Sequence, residues 1–494
     1  MSVLEYLEKA TMAFPNKTAI SYKDKRYTFS QLTKLSRKIG ATIRQYNISN
    51  NAIGVIVDRD IETIAFFMGA LYSNNYYVPI DPDMPVTKIN SIIDDANIGV
   101  ILGIDSRKEW CLSLNSNIKF VALEDVIEKE AEIPTVTKDT PLYMVYTSGS
   151  TGKPKGVLKS HGAVISYIEA YCKEFSFSHD EIIGNQTPFY FDASAKDIYM
   201  MLKLGCTIEI IPSTLFSFST ELIEYLNAKK ITFVSWVPTA LSLVAQLNPF
   251  SLVKPNTLKR VFFVGEVMPM KHLNKWRDAL PDIQYVNLYG QSEIAGICCY
   301  YEVKKHFENT DVLPMGKTLS NCKVYLVNDD KVITVPNQIG EMYIASEALA
   351  LCYYNDQEKT NNSFIERDFG EGLIRCFKTG DLAQYDDEFN LVFASRSDFQ
   401  IKHMGRRIEL GEIESIANGL EEIDRCCCLY NTEKKKIILF CQTAANVELT
   451  GLEIRALLKD KLSDYMLPAR IYVLDKLPLS PNGKIDRQAL KKQL

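Results

Sequence analysis

The feature that most limits how this chain folds is an alternation of apolar and amphipathic segments between residues 30 and 290. Segments 52–58 and 76–80 are near-continuous runs of branched and aromatic residues, and segment 60–73 between them is predicted to be a helix. Such runs are typical of strands in a sheet that is covered by helices on both faces. Because strand and helix alternate, we predict an α/β fold with layered, largely parallel sheets. The other predicted strands include 206–212, 231–238, 260–266 and 283–290, and the other predicted helices include 30–44, 86–97, 219–230 and 271–279.

The pattern changes twice in the last third of the chain. After about residue 310 short strands are separated by turn residues, which indicates a small β-rich subdomain at about 310–397. Near Asp398 the pattern changes again, and a helix predicted at 407–420 begins a region of α+β character. We therefore predict a large N-terminal domain at 1–397 and a small α+β C-terminal domain at 398–494.

Composition argues against several classes of protein. The chain has 494 residues, of which 46% are hydrophobic, and this is too apolar for a disordered protein. A net charge of −5 lacks the basic excess that is typical of nucleic-acid binders. No apolar run approaches the roughly 18 residues that a membrane-spanning helix needs, and the start of the chain, with Glu5 and Glu8, is unlike a signal peptide. We expect a cytoplasmic protein that binds neither nucleic acid nor membrane.

The same expectation predicts the redox state of the 12 cysteines. In a reducing compartment they remain thiols. They include consecutive runs, Cys298–Cys299 and Cys426–Cys428, and no C-x-x-C pair of the kind that holds zinc. We interpret Cys426–Cys428 as part of a buried strand, because cysteine packs like a small hydrophobic residue.

The strongest local motif is YTSGSTGKPKG, from Tyr146 to Gly156. Its glycines allow backbone conformations that other residues avoid, and its hydroxyls and two lysines offer donors and positive charge. Such a loop suits a polyphosphate. It differs from a Walker loop, because only two residues separate Gly149 from Gly152 and Pro154 follows Lys153. Taken alone, the segment is equally compatible with a surface turn.

Further blocks recur in order along the chain and resolve that ambiguity. Together with the loop they resemble the adenylate-forming superfamily, which includes acyl-CoA synthetases, luciferases and the adenylation domains of nonribosomal peptide synthetases. The chain is most similar in style to free-standing amino-acid adenylation domains, including D-alanyl carrier protein ligases. The matching blocks are YTFSQL (27–32), LYSNNYYVPIDP (71–82), FYFDAS (189–194), NLYGQSE (287–293), GEMYIAS (340–346), FKTGDL (377–382), SRSDFQIKHMGRRIELGEIE (395–414), LSDYMLP (462–468) and NGKIDR (482–487).

The resemblance implies a ligase that works in two steps. A carboxylate, predicted here to be that of an amino acid, attacks ATP to give an acyl-AMP and pyrophosphate, with Mg²⁺ as the metal. The acyl group then passes to a thiol, which we expect to be the phosphopantetheine of a separate carrier protein. The alternatives are a D-alanine–carrier protein ligase, an acyl- or aryl-CoA synthetase, and a nucleotide-binding regulator without catalysis.

The resemblance also implies a nucleotide site. Tyr289 offers a flat face for adenine, Asn287 a hydrogen bond to the purine edge, and Asp381 an acceptor for the ribose hydroxyls. Glu293 is implied as the Mg²⁺ ligand, since this cation prefers oxygen. The implied nucleotide-binding residues are Thr147, Ser148, Gly149, Ser150, Thr151, Gly152, Lys153, Gly265, Asn287, Tyr289, Gly290, Ser292, Asp381 and Arg396.

Three residues near or within the C-terminal domain are implied in catalysis. Lys484 would bring a positive charge to the reacting carboxylate and phosphate. Asp398 would be the hinge about which the small, mobile domain rotates between the two steps, and Lys402 would serve the thioester-forming arrangement. The alternative for each is a solvated surface charge.

Asp192 is the residue that favours an amino-acid substrate, because in the resembling domains an aspartate at this place pairs with the substrate α-ammonium. Its alternative role is the N-cap of a helix at 193–203. Lys196 could neutralise an acidic substrate side chain, pair with Asp192 or Asp197, or point into solvent. The pocket predicts a small or medium substrate without identifying it or its chirality. The residues implied to line it are Asp192, Ala193, Lys196, Ser235, Phe262, Val264, Leu288, Gly296 and Ile297.

The motif NLYGQSE departs from the resembling pattern at one position. Gln291 stands where a proline is usual, before Ser292 and Glu293. Ser292 keeps a hydroxyl, but glutamine lacks the rigidity of proline. The change removes no catalytic group, and we expect it either to alter the rate or to mark a divergent subgroup.

Overall fold

The computed structural model of the protein describes residues 2–114, 118–147, 154–309, 311–396, 400–444, 447–478 and 485–494. The helices in these ranges are α1 Val3–Ala13, α2 Phe29–Arg44, α3 Glu62–Tyr72, α4 Val86–Asp95, α5 Lys108–Leu114, α6 His161–Glu174, α7 Ala195–Leu204, α8 Ser219–Ala228, α9 Pro238–Leu247, α10 Met270–Ala279, α11 Gln357–Ser363, α12 Leu410–Asn418, α13 Gly451–Lys459 and α14 Arg487–Lys491.

The strands are distributed along the whole of the described chain. In order they are β1 Thr18–Tyr22, β2 Lys25–Thr28, β3 Ala52–Ile56, β4 Tyr76–Ile80, β5 Val100–Leu102, β6 Lys119–Val121, β7 Pro141–Thr147, β8 Lys155–Ser160, β9 Ile182–Asn185, β10 Thr207–Ile210, β11 Phe233–Trp236, β12 Arg260–Val264, β13 Gln284–Gln291, β14 Gly296–Glu302, β15 Lys317–Thr318, β16 Cys322–Asn328, β17 Lys331–Ile333, β18 Gly340–Ser346, β19 Cys352–Tyr353, β20 Phe364–Asp368, β21 Leu373–Tyr385, β22 Leu391–Arg396, β23 Gln400–His403, β24 Arg406–Glu409, β25 Ile423–Asn431, β26 Lys436–Thr443 and β27 Arg470–Val473.

Two large sheets dominate the N-terminal part. One has the order β15-β14-β13-β12-β11-β9-β10-β1-β2, and the other has the order β19-β8-β7-β4-β3-β5-β6. Their central strands pair in parallel. Every residue of β3 and β4 is buried, as expected for strands covered on both faces. The predicted layered α/β class is confirmed.

The last third of the chain is built differently. A six-stranded antiparallel sheet has the order β17-β16-β18-β21-β20, and its sixth strand, β22, also pairs with β21. A three-stranded sheet follows in the order β25-β26-β27. The predicted helix at 407–420 is wrong in its first turn, because β23 and β24 form a hairpin. Met404 and Gly405 both have positive φ, the conformation of a tight two-residue hairpin turn, and this turn pairs the segment before the helix with β23.

The chain divides into two compact units. The first unit contains Met1–Pro82, Ala96–Val145 and Gly156–Ser397, and the second contains Asp83–Asp95, Tyr146–Lys155 and Asp398–Leu494. All 12 cysteines are free thiols, and all except Cys352 are buried. Within the described ranges no helix is both long and apolar enough to cross a membrane.

His161, the first residue of α6, makes the stability of the first unit depend on pH. Burial lowers its pKa to about 4, and its Nδ1 accepts a hydrogen bond from the Val3 backbone N–H at 3.3 Å. Folding therefore favours the neutral ring, and this contribution is complete above about pH 6.5 and is lost as the pH falls through about 4. We expect the free energy of unfolding between pH 7 and 4 to fall by about 3 kcal/mol more in the wild type than in His161→Gln.

Urea unfolding at a series of pH values measures this difference. His306→Gln is the matched control, because the His306 side chain is 68% exposed. This variant should keep the wild-type slope. An equal slope in the wild type and His161→Gln would contradict the role given to the buried ring.

Candidate active site

A buried polar cluster of the first unit surrounds the carboxylate of Asp381, a residue that is only 1% exposed. Asp381 forms an ion pair with Arg396, and the hydroxyl of Tyr289 donates to its Oδ2. The antiparallel pairing of β21 with β22 places Asp381 directly opposite Arg396. The structure therefore brings together three of the residues that the sequence assigns to the nucleotide.

Gln291 is a member of this cluster that the sequence analysis did not assign to it. Its Nε2 donates to Asp381 Oδ2 at 2.7 Å and to the Tyr289 hydroxyl at 3.0 Å. Burial, and next the charge of Asp381, raise the pKa of Tyr289 well above its usual value, so the phenol stays protonated and donates. The residue that replaces the usual proline is thus a hydrogen-bond donor that holds the carboxylate of Asp381.

Glu293, the predicted metal ligand, lies in a single 3₁₀ turn directly after β13 and is completely buried. Its Oε1 accepts a hydrogen bond of 2.7 Å from the Tyr353 hydroxyl, and its backbone oxygen accepts one of 2.8 Å from Ala350 N–H. Mg²⁺ is commonly held by one or two protein carboxylates together with substrate phosphates. A single oriented, buried carboxylate fits that pattern.

The start of β14 approaches β13 unusually closely. A Cβ on Gly290 would lie 1.9 Å from the backbone oxygen of Gly296, and a Cβ on Gly296 would lie 2.5 Å from the ring of Tyr167. Only glycine fits at these two places.

Asn287, farther back on β13, donates from its side-chain amide to the backbone oxygen of Pro314 at 2.7 Å. Gly265 follows β12 directly, and Ser292 opens the turn that carries Glu293.

The phosphate-loop motif is described only at its two ends. Thr147 is the last residue of β7, and its Oγ1 is buried without a hydrogen-bond partner among the described residues. The predicted phosphate-binding residues Ser148, Gly149, Ser150, Thr151, Gly152 and Lys153 lie outside the described residues.

Residues predicted to line the substrate pocket lie on neighbouring strands of the nine-stranded sheet. Ser235 on β11 is in register with Phe262 on β12, and Val264 is in register with Leu288 on β13. Ile297 and Gly296 begin β14 beside β13. Because β11, β12 and β13 run in parallel, these side chains meet towards the carboxyl ends of the strands, where α/β sheets bind ligands.

Lys196, on the first turn of α7, has internal partners. Its Nζ donates to the backbone oxygen of Ala193 at 2.7 Å and lies 3.4 Å from Asp197 Oδ1. Burial raises the pKa of Asp197, and the positive charge of Lys196 acts against that rise. Of the alternatives that the sequence leaves open for Lys196, the structure has the ion pair with Asp197.

Asp192 is not a helix N-cap, because α7 begins at Ala195 and its N-cap is Ser194. The carboxylate of Asp192 instead forms an ion pair with Lys159 and accepts a hydrogen bond of 2.9 Å from the Tyr143 hydroxyl. Neither partner was predicted from the sequence. The available signal was a lysine inside the segment from Lys155 to Ser160, which is otherwise mostly apolar or small.

The three residues predicted to act in catalysis are described only in part. Lys402 lies on β23 of the second unit, is half-buried, and is opposite Arg407 in the β23–β24 hairpin. Asp398 and Lys484 lie outside the described residues.

Two family models match this chain. The model of the AMP-binding enzyme matches residues 7–354, and that of the AMP-binding enzyme C-terminal domain matches residues 412–484. The chain belongs to the AMP-binding enzyme family. This confirms the resemblance to adenylate-forming ligases that the ordered sequence blocks indicate.

Curated relatives of this AMP-binding enzyme include proteins named as tyrocidine and zwittermicin A synthases. Tyrocidine synthase 1 of Brevibacillus parabrevis is 28% identical over 495 residues, which are 99% of this chain and 45% of the relative. Zwittermicin A synthase ZmaJ of Bacillus cereus is 29% identical over 504 residues, which are 99% of this chain and 94% of the relative. The chain therefore spans less than half of tyrocidine synthase 1 and almost all of ZmaJ.

Solved structures confirm the fold of this AMP-binding enzyme. The holo form of an NRPS protein that contains adenylation and PCP domains superposes with a TM-score of 0.87 at 21% identity. The match covers 100% of this chain and 84% of the other. At this identity the comparison establishes the shared architecture.

Proposed function

We propose that this AMP-binding enzyme joins a carboxylic acid to AMP, with release of pyrophosphate, and then transfers the acyl group to the phosphopantetheine thiol of a separate carrier protein. The observation that carries the proposal is the convergence of Tyr289, Asp381 and Arg396, together with the buried carboxylate of Glu293 in the turn that directly follows the strand of Tyr289. In a member of an AMP-binding family, these residues supply an aromatic face (Tyr289), an acceptor for the ribose (Asp381) and a ligand for the metal (Glu293).

In this proposal no residue of the nucleotide site forms a covalent bond with the substrates. Displacement at phosphorus needs positioned groups and charge stabilisation. Tyr289 faces the adenine, Asp381 accepts from the ribose, and the residues of the phosphate loop donate to the phosphates. Glu293 would hold Mg²⁺, which would supply positive charge beside the phosphates of ATP.

The C-terminal domain, 398–494, contributes the mobile groups of the proposed cycle. Lys484 supplies positive charge to the carboxylate and the α-phosphate during adenylation. The domain then rotates about Asp398, so that Lys484 leaves the site and Lys402 enters it. In this second arrangement the thiol attacks the acyl-AMP. A domain that moves between two states allows one site to perform both half-reactions.

The acid predicted from the sequence is an amino acid of small or medium size, and the names of the relatives support a monomer of nonribosomal synthesis. That prediction depends on Asp192, whose contacts with Lys159 and Tyr143 bear on which acids are accepted. A free carrier protein is proposed as the acceptor, with coenzyme A as the alternative.

ATP–pyrophosphate exchange tests the proposed adenylation. The panel should contain the standard amino acids, D-alanine, β-alanine, aryl acids and 2-hydroxy acids, each with ATP and Mg²⁺. We expect exchange with a narrow group of acids, and loading of a holo carrier protein but not of its serine-to-alanine apo form. Absence of exchange with every acid would refute the proposed function, and equal transfer to coenzyme A would refute the carrier assignment.

A further inference from the structure

Lys159 is a lysine in a place where charged side chains are rare. Every residue of β8, which contains it, is buried, and the Lys159 side chain is 0% exposed. Lysine is almost never fully buried unless it is paired. Its surroundings therefore show what this ammonium group does.

The ammonium of Lys159 has partners within the substrate pocket. Besides its ion pair with Asp192, Lys159 Nζ donates to the Tyr143 hydroxyl at 3.2 Å and lies 5.0 Å from the centre of the Tyr143 ring. The Tyr143 hydroxyl in turn donates to Asp192 Oδ1. The three side chains form a closed triangle in which the charge of Asp192 already has a cation beside it.

Among the described residues, the acidic side chains that act on Lys159 are Asp192 and Glu293. Burial lowers the pKa of Lys159, and the attraction of Asp192, followed by that of Glu293, acts against the lowering. Glu293 is the residue proposed to hold Mg²⁺. A substrate ammonium brought to Asp192 would therefore make the pocket cationic, and a buried charge without its own counter-ion is costly.

The other polar groups of the pocket are consistent with an uncharged substituent. Asp192 is the only acidic residue in the pocket set, and the neighbouring Asp197 is paired with Lys196. Ser235 Oγ is buried and has no hydrogen-bond partner among the described residues. A hydroxyl or carbonyl oxygen on the substrate can satisfy it without bringing charge.

Resting on the proposed function, we infer that Lys159 determines specificity by taking the place of a substrate ammonium on Asp192. The enzyme accordingly activates carboxylic acids that carry no α-ammonium, and 2-hydroxy acids are the class best matched to the pocket. Lys159 acts here through Asp192 on the choice of substrate, and it takes no part in the bond-making steps.

Matched pairs of acids test this inference directly. The pairs are alanine and lactate, valine and 2-hydroxyisovalerate, leucine and 2-hydroxyisocaproate, and phenylalanine and phenyllactate, each as both enantiomers. Members of a pair share the side chain and differ only at the α-substituent. In ATP–pyrophosphate exchange we expect kcat/KM to favour the hydroxy acid of the preferred pair by about 100-fold, because the ammonium lacks a counter-ion.

Lys159→Met provides the second readout, since methionine fills a similar volume without charge. This variant leaves Asp192 unpaired, so the ratio of kcat/KM within a pair should move towards the amino acid by about 100-fold. The double variant Lys159→Met with Asp192→Asn restores a neutral pocket and should again favour the hydroxy acid. Lys203→Met is the matched control and should keep the wild-type ratio. This variant removes a lysine of α7 that is paired with Glu169 of α6.

The outcomes separate this inference from the proposed function. A wild-type preference for the amino acid of a pair, or an unchanged ratio in a folded Lys159→Met, would overturn the inference and leave the ligase assignment standing. No exchange with any acid would overturn both. If Lys159→Met does not fold, the wild-type ranking and the charge-balanced double variant decide.

Discussion

Lys484→Ala should reduce ATP–pyrophosphate exchange by about 10³-fold while ATP affinity changes little. Removing one group that stabilises charge in a transition state costs about 10²–10³ in rate, and a flexible lysine contributes little to ground-state binding when other residues hold the nucleotide. Because Asp381, Tyr289 and Arg396 remain in place, equilibrium dialysis with ATP should give a dissociation constant within about threefold of the wild type.

Lys491→Ala is the matched control for this variant. Lys491 lies in the same C-terminal segment, in the last turn of α14, and is exposed. Its removal should leave exchange at the wild-type level. Exchange by Lys484→Ala within tenfold of the wild type would refute the role proposed for this amine, and a parallel loss of ATP affinity would assign it to binding instead.

Asp381→Asn should have the largest effect on stability. Asparagine keeps the shape of the side chain but removes the charge that Arg396 needs, and the Asp381 and Arg396 side chains are only 2% and 10% exposed. Breaking one partner of a buried pair costs about 3–5 kcal/mol. We expect the free energy of unfolding to fall by about 3 kcal/mol or more, and AMP binding to weaken because the proposed ribose acceptor is changed.

A double-mutant cycle isolates the pair from other effects of the substitution. Asp381→Asn combined with Arg396→Gln removes both charges, so part of the lost stability should return. Asp387→Asn, on the exposed turn after β21, is the matched control and should be neutral. A loss below about 1 kcal/mol for Asp381→Asn would show that Arg396 is stabilised by other groups.

Much of the fold could be predicted because it depends on local pattern. The apolar runs that become β3, α3 and β4 could be recognised because every residue of these three elements is buried. Strand β24 could not be predicted, because the helical periodicity of 407–420 is real and the hairpin turn at Met404 and Gly405 overrides it only at its start. Element boundaries depend on such competing local and pairing preferences.

The candidate site was predictable as a set of residues but not as a set of contacts. The motif order placed Tyr289, Glu293 and Asp381 in a nucleotide site. Gln291 looked like the loss of a rigid proline, and only the structure shows its amide on Asp381, 90 residues away along the chain.

The sequence alone determined the α/β class, the membership of an adenylate-forming family and the list of candidate residues. These three depend on composition, periodicity and ordered motifs. Tertiary structure alone decided which charges are already neutralised. Lys159 and Asp192 are 33 residues apart and Asp381 and Arg396 are 15 apart, and their partners are set by strand register and by packing of separate elements. Electrostatic energy depends on distance and burial in space, and a linear pattern contains neither.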